Sequence, residues 1–287
     1  MPEADKQKLQ VMTMRHLEDR DTLSSEGRNN SLKEGQELRV KSISHQIIKN
    51  AMRQNLRSVI FYASEKKRTQ QTVELIQNRI SQSKLIVGTE QKITSSINEL
   101  DNGEMVFPEG YKDGDWFQPL PDAWDSFFRE IFEGDLTYRF GDPKISEKGE
   151  SKYPKIDGHF KMFGENYAEF CSRIFEFLSE LDVEKDFREG KLPVIITHNA
   201  IVSVVIEVAY VYYDLFKKDA NFINDESGPS LNKLIWDMFL KYKKEINFDM
   251  CFGEIKEIDL GFLADKDFKS YLKNEAVLLS LVAKFSS

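Results

Sequence analysis

Apolar residues in this chain gather into short runs bounded by polar turns, and those at residues 9–14, 58–63, 85–87, 194–197 and 254–260 have the length of β-strands. Between them the apolar positions recur at helical spacing: Ile43, Ile47, Ala51 and Leu56 before the second run, Val73, Ile76 and Ile80 after it. Phe163, Tyr167, Phe170, Ile174, Phe177 and Leu181 line one face of a later helix, with Gly164-Glu165-Asn166 at its start. The helix after residue 197 is apolar nearly all round, which predicts a central position, and a last helix is expected over about residues 267–284. Strands alternating with helices predict an α/β fold with a doubly wound, mostly parallel sheet, whose ligands gather at the carboxyl ends of the strands.

Two stretches interrupt this rhythm. Residues 101–160 mix Gly, Pro and charged turns with a short amphipathic segment, Trp124, Phe127, Phe128 and Ile131. Residues 99–135 hold 11 acidic residues and two basic ones, Lys112 and Arg129. This reads as an inserted cap region over the pocket, or equally as an acidic solvated excursion with a few packed aromatics. A second insertion is expected at residues 214–248, and residues 18–36 read as a polar loop. Single domains commonly reach roughly 250 residues, so residues 1–287 are expected to form one domain carrying both insertions.

Candidate chemistry sits at the ends of the first two runs. Arg15-His16 closes the first, and Ser64-Glu65-Lys66-Lys67-Arg68-Thr69-Gln70-Gln71-Thr72 directly follows the second. A guanidinium fork matches phosphate oxygens bidentately and stays charged, and an imidazole is a nitrogen nucleophile near neutral pH. One histidine and two arginines delivered by two strand ends therefore suit phosphoryl transfer through a phosphohistidine.

Charge and composition narrow the picture. The net charge is −8, yet residues 1–92 hold 17 basic against 11 acidic residues, a surplus of six that leaves −14 for the remainder. The basic part carries both arginines. An acidic whole excludes broad nucleic-acid binding, which needs many cations to neutralise phosphates. With 40% hydrophobic and 31% charged residues the composition is that of an ordinary globular protein. Residues 1–8 lack the apolar core of a signal peptide, and the longest apolar stretch, 194–213, is broken by His198, Asn199 and Glu207, so no membrane span is expected. Cys171 and Cys251 lie far apart without metal-ligand partners and read as buried free thiols, which fits a cytoplasmic protein. No His/Cys/Asp cluster has metal-ligand spacing, and no cofactor is implied.

Arg15-His16, Ser64-x-x-x-Arg68-x-x-Gln71-Thr72, Asn98-Glu99-Leu100-Asp101-x-Gly103, Gly164-Glu165 and Ile195-Ile196-Thr197-His198, in this order, resemble the histidine phosphatase superfamily with its phosphoglycerate mutase-like fold. The resemblance implies His16 as nucleophile, Arg15 and Arg68 as ligands of the phosphoryl oxygens, and His198 as a further donor to the transition state. Glu99 matches the proton donor of the mutase-like branch. The acid-phosphatase branch uses an aspartate directly after the second histidine, where this chain has Asn199. Glu18, Asp101 and Glu104 are alternative carboxylates, and His45, His159 and Glu165 stay outside the catalytic set. Three departures are visible. Leu17 stands where the family has glycine, and a leucine tolerates positive φ poorly, so an altered loop is expected. Thr22 replaces an asparagine found in sugar-phosphate mutases, and Asn199-Ala200 replaces the usual glycines.

The expected function is thus a metal-independent phosphomonoester hydrolase acting on a small phosphorylated metabolite or phosphorylated residue. A mutase is the alternative within the same chemistry, disfavoured by the altered loop after His16. An inert phosphate-recognition or scaffolding module is the alternative from another class. Retention of a candidate acid speaks against it, since simple binding needs no proton donor.

Overall fold

The computed structural model describes residues 9–17, 23–24, 27–28, 35–99, 103–106, 159–163, 165–218, 233–234 and 253–285. Strand β1 (Gln10–Arg15) leads through helix α1 (Glu37–Arg53) to β2 (Ser58–Ser64), and α2 (Lys67–Ser81) follows, leading to β3 (Gly88–Thr94). The second half runs α3 (Tyr167–Glu180), α4 (Val183–Arg188), β4 (Lys191–Thr197), α5 (Asn199–Val211), β5 (Ile255–Asp259) and α6 (Lys266–Phe285).

The three inner strands β2, β4 and β1 are apolar on both sides because each side has its own core. Val11, Ile60, Tyr62, Ile195 and Ile258 face a cluster built with α3, α5 and α6. Their neighbours Met12, Met14, Val59, Phe61, Ala63, Val194 and Ile196 face a second cluster built with α1 and α2. Full burial of a side chain such as Ile60 or Phe61 contributes about 1.5–3 kcal/mol, so the sheet is held chiefly by the helices that cover it. The strand order is β3-β2-β4-β1-β5. The first four are parallel, and β5 joins β1 antiparallel. This is the expected α/β sheet, doubly wound and mostly parallel, with β4 inserted between β1 and β2.

Three local readings differ from the structure. The third strand is not 85–87 but the polar segment Gly88–Thr94. As an edge strand it has one neighbour and an open side, so it shows little apolar signal, while Leu85 and Val87 are 55% and 82% exposed. Phe163 belongs to a strand, and its helix starts at Tyr167, where Asn166 and Glu169 form a capping box. Leu56 lies beyond α1: Asn55 takes φ 56° and the Leu56 amide returns to the Ala51 carbonyl at 2.8 Å, folding Leu56 into the core.

The helix after His198 is central, with Ile201, Val202, Val205 and Val208 fully buried. Residues 199–216 are long and apolar enough to cross a membrane, and here they pack against the sheet. Asp214 lies in a π-helical turn, Tyr212–Phe216, that continues α5. Gly103–Val106 and His159–Phe163 pair antiparallel, so the chain enters and leaves the region of the first expected insertion side by side. The aromatic segment at 124–131, residues 235–250, Thr22, Cys251 and the alternative carboxylates Glu18 and Asp101 lie outside the described residues.

Candidate active site

With β4 between β1 and β2, the carboxyl ends of three parallel strands lie side by side. Arg15 is the last residue of β1, half-buried and in register with Thr197. His16 follows it, its backbone N–H donating to the Thr197 carbonyl at 3.0 Å. His198 follows β4 as the residue preceding α5. The imidazole rings of His16 and His198 meet edge to face with centroids 4.9 Å apart. Arg68, in the first turn of α2, is buried, and its Nη2 donates to His198 Nδ1 at 3.3 Å and to Glu99 Oε2. Glu99 follows the 3-10 turn Ser95–Ile97, and its carboxylate lies 3.8 Å from His198 Nδ1. The structure thus gathers His16, Arg68, Glu99 and His198, with Arg15 alongside. Glu104 lies in the paired segment Gly103–Val106, and His45 is exposed on α1.

Hydrogen-bond partners fix where the protons sit. His16 Nδ1 lies 2.6 Å from the Leu17 carbonyl, which can only accept, so the neutral imidazole carries its proton there and its lone pair on Nε2. Burial, then neighbouring His16 and the cations Arg68, Lys66 and Arg173, hold His198 well below the usual imidazole range. It is neutral at physiological pH. Arg68 can only donate to Nδ1, so Nε2 bears the proton and donates to Ser64 Oγ at 3.1 Å. Ser64 Oγ in turn donates to Thr69 Oγ1 at 2.8 Å. Ser64, His198 and Glu99 have the outline of a Ser-His-acid triad, but the protons run the wrong way: a base would need a lone pair, not a proton, facing the serine. Ser64→Ala leaves the buried Nε2–H without its acceptor. It is expected to cost about 1–3 kcal/mol in stability, measured by urea denaturation. An unchanged midpoint would contradict this hydrogen bond.

The segment bearing Glu99 is tied to three elements. Thr197 Oγ1 donates to the Ile97 carbonyl at 2.6 Å, and the Glu65 N–H donates to Asn98 Oδ1 at 2.9 Å. Arg173 of α3 supplies the third tie, and Glu165 is its ion-pair partner. Sequence reasoning assigned no role to Ser64 or Arg173.

Leu17 avoids positive φ, and the loop expected to be altered after it, residues 18–22, lies outside the described residues. Among the described residues only Asn55 and Lys84 are non-glycines with positive φ, so Leu17 adopts an ordinary backbone conformation. Its N–H donates to Thr72 Oγ1 at 3.2 Å, and its side chain is fully buried. The glycine this turn requires stands opposite. Gly253, at φ 70°, donates its N–H to the Arg15 and His16 carbonyls at 3.1 and 3.0 Å. A Cβ there would fall 2.7 Å from Arg39 Cδ and 3.0 Å from Leu17 Cδ2.

Helices α2 and α5 both start at the site, so their positive ends add to Arg15, Arg68 and Lys66 in a field that favours an anion. Among the described residues no group of three His, Cys, Asp or Glu side chains could hold a metal ion. The arrangement offers an imidazole lone pair, a buried guanidinium and a half-buried carboxylate side by side at the strand ends.

No protein-family model and no curated protein sequence matches this chain. Solved structures similar to it include phosphatases and phosphoglycerate mutases. A mycobacterial glucosyl-3-phosphoglycerate phosphatase is 13% identical with a TM-score of 0.39, covering 68% of this chain and 76% of that one. A phosphoglycerate mutase from Bacillus anthracis is 15% identical with a TM-score of 0.38, covering 70% and 80%. One from Plasmodium falciparum is 14% identical with a TM-score of 0.33, covering 70% and 74%.

Proposed function

We propose that this chain is a divergent histidine phosphatase that hydrolyses a small phosphomonoester or a phosphorylated residue through a phosphohistidine at His16. The observation that carries this reading is the Leu17 carbonyl on His16 Nδ1, which leaves the nucleophilic lone pair on Nε2 of a buried ring that meets His198 edge to face. Nε2 attacks phosphorus, the bond to the leaving oxygen breaks, and Glu99, which takes up a proton from solvent when phosphate displaces it from Arg68, delivers that proton to the leaving oxygen. Arg68 exchanges Glu99 for the phosphoryl oxygens as substrate enters, with Arg15 as the second guanidinium. In the second half, Glu99 takes a proton from water as the water oxygen attacks phosphorus. The phosphorus–nitrogen bond breaks and phosphate leaves.

His198 serves the same oxygens. A proton taken up from solvent together with the anionic substrate goes to Nδ1, the nitrogen that faces Arg68 and Glu99, and makes His198 an imidazolium that donates to phosphate while its Nε2–H stays on Ser64 Oγ. Hydrolysis is favoured over a mutase because the Glu99 side chain is 42% exposed, so water reaches the base that a mutase must keep dry.

The test is to quench wild-type protein during turnover and treat it with acid and with alkali. An acid-labile, alkali-stable phosphoenzyme that maps to His16 is expected, together with turnover that survives EDTA. An acid-stable phosphoester, or activity that requires a divalent ion, would overturn the reading.

A further inference from the structure

Arg173 projects from α3 toward the segment that carries Glu99. Its guanidinium lies over the Phe170 ring at 4.9 Å and is anchored by both carboxylate oxygens of Glu165, Nε to Oε1 at 2.7 Å and Nη2 to Oε2 at 2.8 Å. The far side of the fork reaches across the turn: Nη1 donates to the Ser96 carbonyl at 2.8 Å and Nη2 to the Glu99 carbonyl at 3.2 Å. One carbonyl lies inside the 3-10 turn and the other just past it. The groups between them are already taken, Ile97 by Thr197 and Asn98 by Glu65. The Glu99 side chain points instead to Arg68.

We propose that Arg173, oriented by Glu165, is a positioning residue that fixes the backbone from which Glu99 reaches the leaving group. This rests on Glu99 being the acid of the reaction proposed above. A planar guanidinium can bind a carboxylate on one edge and two carbonyls on the other, whereas an ammonium donates from a single point. Proton transfer to a departing oxygen requires the acid within hydrogen-bond reach, and a displacement of about 1 Å can cost about a hundredfold. Arg173 therefore acts through Glu99 and touches no reacting atom.

The experiment compares Arg173→Lys, Glu99→Gln and the double variant in single-turnover phosphorylation of His16 by an alkyl phosphate and by p-nitrophenyl phosphate. Lysine keeps the aliphatic stem and the charge opposite Glu165 but loses the fork. Arg173→Lys is expected to slow the alkyl phosphate by about tenfold or more and the aryl phosphate by less than about twofold. Because both residues act through one proton, the double variant is expected to be no slower on the alkyl phosphate than Glu99→Gln alone. Should the lysine variant fail to fold, Glu165→Gln, which loosens the anchor, is expected to show the same leaving-group bias at smaller size. Equal slowing of both substrates by the variant, or losses that multiply in the double variant, would overturn the proposal and leave Arg173 a support of the fold. Absence of leaving-group bias in Glu99→Gln itself would remove the acid and, with it, the role of Arg173.

Discussion

His16→Ala is expected to abolish the phosphoenzyme and lower turnover by at least about 10³-fold, the scale on which loss of a covalent nucleophile is felt. The remaining groups still bind phosphate but have nothing to receive it. Substrate binding is expected to persist, because Arg15, Arg68 and the two helix starts are unchanged, and equilibrium binding of a phosphate ester to the variant checks this. The deletion also leaves the Leu17 carbonyl without its donor, a cost of about 1–3 kcal/mol. Circular dichroism should therefore accompany the kinetics. Added imidazole offers a small nucleophile to the vacated space and is expected to restore part of the turnover. Undiminished hydrolysis by a folded His16→Ala protein would eliminate covalent catalysis at this residue.

What the sequence disclosed follows from burial. Strands β1, β2 and β4 are covered on both faces, so they are written as continuous apolar runs, and the residues just beyond their ends are legible as strand-end chemistry: His16, Arg68 and His198. β3 has one neighbour and reads as polar chain, which moved its expected position three residues early. Glu99 came into view only through its motif. Nothing in the local pattern around a 3-10 turn marks it as reaching Arg68. The groups that orient the site were illegible because their partners are distant in sequence: Ser64 and His198 are 134 residues apart, Arg173 and Ser96 are 77. Leu17 shows the same limit from the other direction. The rule that leucine tolerates positive φ poorly holds at Leu17, but the glycine packed against it, Gly253 across the turn, is displayed only by the tertiary structure.

Glu99→Gln is expected to separate substrates by their leaving groups. An alkoxide is so basic that it must be protonated as the phosphorus–oxygen bond breaks, whereas nitrophenolate departs with little help. The amide cannot supply a proton, so phosphorylation of His16 by an alkyl phosphate is expected to slow by roughly 10²- to 10⁴-fold, and by p-nitrophenyl phosphate far less. Single-turnover rates are needed, because the later attack of water also uses this carboxylate and would mask the difference in steady state. Substrate binding supplies the internal control. In the resting protein Glu99 occupies Arg68, the guanidinium that phosphate must claim. A neutral amide is a weaker rival for that cation, so the variant is expected to bind phosphate esters at least as tightly as the wild type. Weaker binding with equal slowing of both substrates would make Glu99 an organiser of Arg68 rather than the acid, and would return the proton donor to Glu18, Asp101 or Glu104.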